Sequence, residues 1–153
     1  MKEEANSVTS RLELQENRVP RASWIILAGV TLFTALNGLW VAITPVGSQT
    51  ELSGRTWEQF VAAEPEMARI YTMDLVLLGM TLTAFSILGM IVTLIPYRHG
   101  ESWAWFTLWL IPLVHGGMSF TMLSEQYYDV GYIYVGLFIV SLIGILIPIR
   151  KFL

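Results

Sequence analysis

Four apolar runs, each about the twenty residues that a transmembrane helix needs, occupy most of this 153-residue chain. They carry few charges or none and cover residues 23–43, 75–95, 103–123 and 130–149. Because a helix rises about 1.5 Å per residue, each run can cross a hydrocarbon core of roughly 30 Å. Backbone groups find no partners in hydrocarbon, and the runs lack the alternating polarity of barrel strands. The sequence therefore predicts four transmembrane helices.

Little of the chain lies outside these runs, which leaves no room for a second folded domain. The predicted fold is all-α: a four-transmembrane-helix bundle at 23–153, preceded by an N-terminal tail at 1–22. A hydrophobic content of 54%, a charged content of 14% and a mean hydropathy of +0.57 are far from the balance of a soluble domain. The tail has mixed charge and no small-residue cleavage pattern follows the first run, which predicts a retained helix and not a signal peptide.

The segment between the first two runs predicts a short amphipathic surface helix on the outer membrane surface. Thr56 and Gln59 have the spacing of a capping box, and an apolar side follows, made of Trp57, Phe60 and Val61. Pro65 suits the first turn of a new helix and disfavours helical geometry at the residue before it. We therefore expect a bend there, which separates the surface helix from a continuous helical run into the second span at about residues 70–95.

The distribution of basic residues predicts the orientation. Seven of the nine Lys and Arg residues lie in the tails or in the 97–102 turn, namely Lys2, Arg11, Arg18, Arg21, Arg98, Arg150 and Lys151. Only Arg55 and Arg69 lie in the other loops. Cytoplasmic loops are enriched in Lys and Arg, so the prediction is a multi-pass protein of the cell membrane with both termini in the cytoplasm. Trp103, Trp105 and Trp109 then form an aromatic belt at the cytoplasmic interface.

Small residues recur at helical spacing in the first two runs. They are Thr31, Ala35, Gly38 and Ala42 in the first, and Gly79, Thr83 and Ser86 in the second. Faces of this kind allow close approach of helix backbones in a membrane. Pro112 removes a backbone donor inside the third run and predicts a kink just before His115.

Several classes of chemistry are disfavoured by the composition. The chain has no Cys, which excludes disulfides, thiolate metal sites and thiol redox chemistry. A net charge of −3 without a basic stripe argues against nucleic-acid binding. No phosphate loop, nucleophile elbow, zinc helix or haem-attachment motif is present. Four Met residues near His115 are a weak basis for Cu(I), so neither a metal site nor a cofactor is predicted.

Four polar residues at membrane depth form the candidate site: Asn37, Asp74, His115 and Glu125. The first three are expected at similar depths of roughly 6 to 12 Å, with Glu125 above them in the third loop. Buried ionisable groups are expensive in a membrane and often mark function. One interpretation is structural: Asp74 is hydrated or fixes helix register, and His115 bonds a backbone carbonyl. The other is an outward-opening pocket that binds a ligand or exchanges a proton.

The stretch "TWEQFVAAEPEMAR" together with the turn "YRHGESWAWFTLWLIPL" resembles a family of uncharacterised small four-helix integral membrane proteins of bacteria and archaea. The turn has the form Tyr-Arg-x-Gly-Glu-x-Trp-Ala-Trp and runs from Tyr97 to Trp105. The resemblance covers residues 55–113 and implies the four-span fold. It implies no activity.

The sequence thus supports two hypotheses about function. The first is a non-catalytic accessory or structural subunit that packs within a membrane complex or a homo-oligomer, with membrane lipids and other subunits, or itself, as partners. The second is a protein that binds or transports a small molecule or lipid through the outward-facing pocket. An enzyme is the less favoured form of the second hypothesis, with Asp74 and His115 as an acid/base pair.

Overall fold

The computed structural model of the chain describes residues 19–46, 51–52 and 55–153. Helix α1 is Arg21–Ile43, strands β1 and β2 are Glu51–Leu52 and Arg55–Thr56, and helix α2 is Trp57–Ala63. Helix α3, Pro65–Val92, continues as a π-helical turn, Thr93–Tyr97. The remaining helices are α4 (Ser102–Leu108), α5 (Leu110–Ser124), α6 (Tyr128–Leu146) and α7 (Ile149–Phe152). The predicted N-terminal tail lies outside the described residues up to position 18.

Four helical segments are long and apolar enough to cross a membrane: Arg21–Ile43, Pro65–Tyr97, Ser102–Ser124 and Tyr128–Leu146. The all-α, four-span prediction is therefore confirmed. The second segment is 33 residues long and begins at Pro65, where the sequence predicts a new helix, so the helix starts before the predicted span at about residue 70. Polar residues such as Arg69 and Asp74 end the apolar run in the sequence, but they do not break a helix, so hydrophobicity alone underestimates its length.

The chain divides into two compact units, which are described separately. The central unit is residues 32–88 and contains most of α1, the strands, α2 and most of α3. The terminal unit combines, among the described residues, 19–31 with 89–153. It contains the start of α1, the end of the second span and all of α4 to α7.

In the central unit, α1 and α3 touch at two glycines. A Cβ added to Gly79 would lie 2.5 Å from the backbone nitrogen of Ala42, and one added to Gly38 would lie 2.8 Å from the Gly79 oxygen. The Thr83 hydroxyl lies 3.4 Å from the Ala35 carbonyl oxygen, to which it donates. Only residues without a Cβ fit this crossing. The predicted small-residue faces therefore do bring the two backbones together.

The loop of the central unit forms a two-stranded antiparallel sheet followed by the predicted short helix. The capping box is present: the Gln59 backbone N–H donates to Thr56 Oγ1, and the Thr56 backbone N–H donates to Gln59 Oε1. The Trp57 ring lies 6.1 Å from the Tyr71 ring, which fixes α2 against the first turns of α3. Helix α2 ends at Ala63 and α3 starts at Pro65, so the predicted bend is confirmed.

Two prolines interrupt helices in the terminal unit. Pro96 lies inside the π-helical turn, where the Arg98 N–H donates to the Thr93 carbonyl, five residues back. A wider turn of this kind accommodates a residue that cannot donate. Pro112 removes the donor that Leu108 would use, and the third span is interrupted one turn earlier, at Trp109, between α4 and α5.

Two helix C-termini of the terminal unit end in the same hydrogen-bond pattern. At the first, Glu101 N–H donates to the Pro96 carbonyl and Gly100 N–H to the Tyr97 carbonyl. At the second, Tyr127 N–H donates to Met122 and Gln126 N–H to Leu123. This pair of bonds defines a Schellman motif, which needs one residue with positive φ. Gly100 has φ 84° and Gln126 has φ 65°, so only the first turn has the residue that tolerates this backbone.

Candidate functional site

The four predicted site residues fall into the two units. Asn37 and Asp74 belong to the central unit, and His115 and Glu125 belong to the terminal unit. Asn37, Asp74 and Glu125 have exposed side chains, whereas His115 is buried. The combination of all four in one pocket stays a prediction.

Asn37 and Asp74 lie at different levels of the central unit. Gly79 lies against both Gly38 and Ala42 of the antiparallel helix α1, so Asp74 is displaced from that contact by five residues in one direction and Asn37 by about three in the other. At about 1.5 Å per residue the two side chains are separated by about 12 Å along the helix axes. Asp74 lies beyond the end of α1 at Ile43, while Asn37 lies well inside it. Asn37 and Asp74 therefore lie at different levels of the central unit, and their membership of one site stays a prediction.

His115 is the buried member of the predicted set. It lies on α5, where its relative exposure is 2%, and its Nδ1 bonds the Ile111 carbonyl oxygen at 2.8 Å. The Tyr134 ring of α6 lies 6.2 Å from the imidazole. Ser119, one turn further along α5, donates to the Gly116 carbonyl. His115 Nδ1 and the Ser119 hydroxyl thus each bond a backbone carbonyl of their own helix.

Glu125 lies at the second Schellman turn, beside a cavity formed by the segment that joins α5 to α6. This cavity has a volume of about 280 Å³ and is lined by Gln126, Tyr127, Tyr128, Asp129 and Val130. The Tyr128 ring stacks on that of Tyr132 at 6.5 Å. Aromatic rings with a polar end are typical of the membrane interface. Their exposure here suits that environment.

A buried polar network among the described residues of the terminal unit involves residues outside the predicted set. Ser23 Oγ donates to the Gly144 carbonyl oxygen at 2.5 Å. The Tyr97 hydroxyl lies 2.5 Å from Ser23 Oγ and 3.1 Å from the same carbonyl oxygen. Trp105 Nε1 donates to the neighbouring carbonyl of Ile145 at 3.1 Å. We call Ser23, Tyr97 and Trp105 the carbonyl-capping cluster.

The cluster exists because helix α6 ends at a proline. In an α-helix the Gly144 carbonyl would accept from the N–H of residue 148, but Pro148 has none. Side chains from three other segments replace that donor and the next one, at a place where water is excluded: Ser23, Tyr97 and Trp105 are exposed by 4% or less. In the sequence, Pro148 near the end of the fourth apolar run indicates a carbonyl without its helical donor. The sequence does not indicate which side chains bond these carbonyls.

Aromatic packing surrounds the carbonyl-capping cluster. The Phe152 ring stacks on Tyr97 at 6.0 Å and on Trp105 at 5.5 Å. The Arg98 guanidinium lies 5.0 Å above the Trp24 ring, and the Arg98 carbonyl accepts from the Val19 N–H. Cation–π contacts of this kind are favourable. Desolvation lowers the pKa of the nearby Lys151.

Within residues 19–46, 51–52 and 55–153, no group of three or more His, Asp or Glu side chains is arranged to hold a metal ion. Comparison of the chain with protein-family models, with curated proteins and with solved structures gives no match. The resemblance carried by the 97–105 turn therefore stays a prediction.

Proposed function

We propose that this chain is an integral membrane protein with four spans and cytoplasmic termini, and that it serves as a non-catalytic structural or accessory subunit of a membrane assembly. The observation that carries this proposal is the use of the buried polar groups. Every buried side-chain nitrogen or oxygen in the described part of the chain has a hydrogen-bond partner. In the terminal unit these partners include backbone carbonyls such as those of Ile111, Phe138 and Gly144.

Groups used in this way stabilise helix ends and helix contacts. A carboxylate or imidazole that acts on a substrate must instead present a polar atom to an open site. His115, the one predicted acid/base residue that is buried, has a relative exposure of 2%, so its imidazole is not presented to an open site. The chemistry of the interior thus favours packing over catalysis.

The outer surfaces of the spans support the same proposal. Between 22 and 28% of each apolar stretch is fully buried within the chain, and each span keeps exposed apolar side chains that can face lipid or another subunit. Small membrane subunits use such surfaces to pack against neighbours through close contacts and occasional polar pairs.

The test is to extract the protein from its native membranes in polymer-bounded lipid discs, without detergent, and to determine the mass and composition of the particles. We expect particles that contain several copies of the chain or the chain together with other membrane subunits. Particles that contain one copy and lipid alone would contradict the proposal.

A second function is favoured by the exposure of Asn37, Asp74 and Glu125. These groups suit an outward-facing pocket for a small molecule or lipid, as the second hypothesis requires. The discriminating experiment is Asp74→Asn, with Glu66→Gln as a control that changes an exposed carboxylate elsewhere on α3. Loss of ligand transport or binding only in Asp74→Asn, with assembly unchanged, would favour the pocket over the structural role.

A further inference from the structure

Asn37 is a polar side chain on an otherwise apolar exposed face of α1. Phe33, Leu36 and Trp40 lie beside it at helical spacing, and they are exposed by 47%, 59% and 67%. Among the described residues, no hydrogen bond to the Asn37 amide is formed. An amide carries two donors and an acceptor with two lone pairs, so its full hydrogen-bonding capacity faces the surroundings of this helix.

The position of Asn37 along α1 prevents it from reaching water easily. Helix α1 is 23 residues long, and Asn37 lies six residues from its end at Ile43. That distance is about 9 Å at 1.5 Å per residue. The Cα–Cβ bonds of a helix tilt toward its N-terminus, which directs this short side chain away from the nearer end and into the hydrocarbon. Lys and Arg can extend back to the interface from such a depth, but Asn cannot.

Lipid chains have no groups that can hydrogen-bond an amide, so a hydrogen bond to a polar group on another helix stabilises Asn37. The exposed residues around it, Phe33, Leu36 and Trp40, carry no charge and select no charged partner. An amide is complementary to itself, because each copy donates through nitrogen and accepts through oxygen. A two-fold axis beside α1 brings the same residue from both copies together.

We propose that a second copy of this chain covers this face of α1, with Asn37 of each copy hydrogen-bonded to Asn37 of the other. Phe33, Leu36 and Trp40 form the apolar contact around the amide pair. The proposal rests on the assembly role proposed above and identifies its surface and its partner. A single interior Asn is a known way to fix the register of two apolar helices.

The first experiment measures dimerisation in lipid vesicles by energy transfer between labelled copies at a series of protein-to-lipid ratios. Asn37→Leu removes the amide and keeps an apolar side chain of similar size. Double-mutant data on hydrogen bonds between membrane helices predict that the dissociation constant of the dimer rises by about 3- to 20-fold. Asn37→Gln, which retains the amide, should keep most of the affinity. Thr81→Val, an exposed polar residue of α3 in the same unit, is the matched control and should not change it.

The second experiment uses the absence of Cys from the chain. A single Cys at position 36, in the centre of the proposed contact, should form a disulfide-linked dimer under mild oxidation in the membrane. A single Cys at position 120, where Phe120 of α5 is 74% exposed, should not. Circular dichroism of each variant checks that the helical fold is retained.

The outcomes separate this inference from the proposed function. A dimer that Asn37→Leu weakens and that Leu36→Cys traps supports both. Two outcomes overturn the Asn37 contact and still support the assembly role. One is an oligomer whose affinity is unchanged by Asn37→Leu, and the other is a native particle in which different subunits surround a single copy. A chain that stays monomeric in vesicles and in native particles overturns both.

Discussion

Removal of both hydroxyl groups that cap the Gly144 carbonyl should destabilise the protein by more than the sum of the single changes. In Ser23→Ala the Tyr97 hydroxyl still lies 3.1 Å from that carbonyl, and in Tyr97→Phe the Ser23 hydroxyl still lies 2.5 Å from it. Each single variant therefore loses one hydrogen bond, about 1 kcal/mol. The double variant leaves a buried carbonyl without a donor, which adds about 1–3 kcal/mol. The expected coupling energy between the two positions is that additional amount.

Repeating this double-mutant cycle in a Pro148→Ala variant tests whether the proline is the cause of the cluster. Pro148→Ala restores a backbone N–H at the position that can donate to Gly144 within the helix. The coupling between Ser23→Ala and Tyr97→Phe should then fall toward zero, because the carbonyl has a third possible donor. Ser141→Ala is the matched control: Ser141 is buried and donates to the Phe138 carbonyl in its own helix, so it should not couple to Tyr97→Phe.

Unfolding free energies can be measured for all variants by steric trapping in bicelles. Additivity of the two hydroxyl deletions within about 0.5 kcal/mol, the usual limit for independent sites, would refute the reasoning. So would an equal coupling in the Pro148→Ala background, because the proline would then not be the cause of the cluster.

Three further predictions use the same measurement of unfolding free energy. Gly79→Val should destabilise the central unit by more than Gly117→Val, because a Cβ at Gly79 meets backbone at 2.5 Å whereas one at Gly117 meets nothing within 4 Å; equal effects would contradict the α1–α3 contact. Gln126→Gly should stabilise the protein by about 0.5–1 kcal/mol, and Gly100→Ala should destabilise it by about 1 kcal/mol, because both positions have positive φ. A change of the same sign in both variants would be inconsistent with two Schellman turns. Thr56→Ala should destabilise α2 by about 1 kcal/mol through loss of the cap, visible as faster amide exchange at Gln59, with Thr44→Ala as the control.

The sequence predicts the spans well because hydrocarbon imposes a simple rule on length and polarity. It also predicts α2 and its bend, because the Thr56 to Gln59 spacing and Pro65 act locally. The helix of the second span starts at Pro65, before the apolar run, since polar residues can continue a helix outside that run. The two-residue strands of the loop carry no sequence signal strong enough to predict them.

The candidate site was harder to predict than the fold. Polar residues attract attention in an apolar sequence, but depth alone does not say whether they are exposed or which residues they meet. Asn37 and Asp74 lie about 12 Å apart along the helix axes because the contact between Gly38 and Gly79 sets the register, and such a pairing cannot be read from one sequence. Likewise, no sequence pattern marks Ser23 or Tyr97. They bond the Gly144 carbonyl because Pro148, which lies about fifty or more residues further along the chain, cannot donate to it.

The helix of the second span is longer than the thickness of the hydrocarbon core, even when it is tilted. Its 33 residues measure about 50 Å from end to end, and even the steepest tilt common among membrane helices, about 40°, leaves a vertical height of about 38 Å against a core of about 30 Å. In the proposed orientation, with Tyr97 at the cytoplasmic boundary, the surplus length would form a short stalk at the Pro65 end of this helix. Such a stalk would hold α2, which directly precedes Pro65, outside the acyl chains on the extracellular side. A protease or antibody directed at that segment should therefore find it on intact cells.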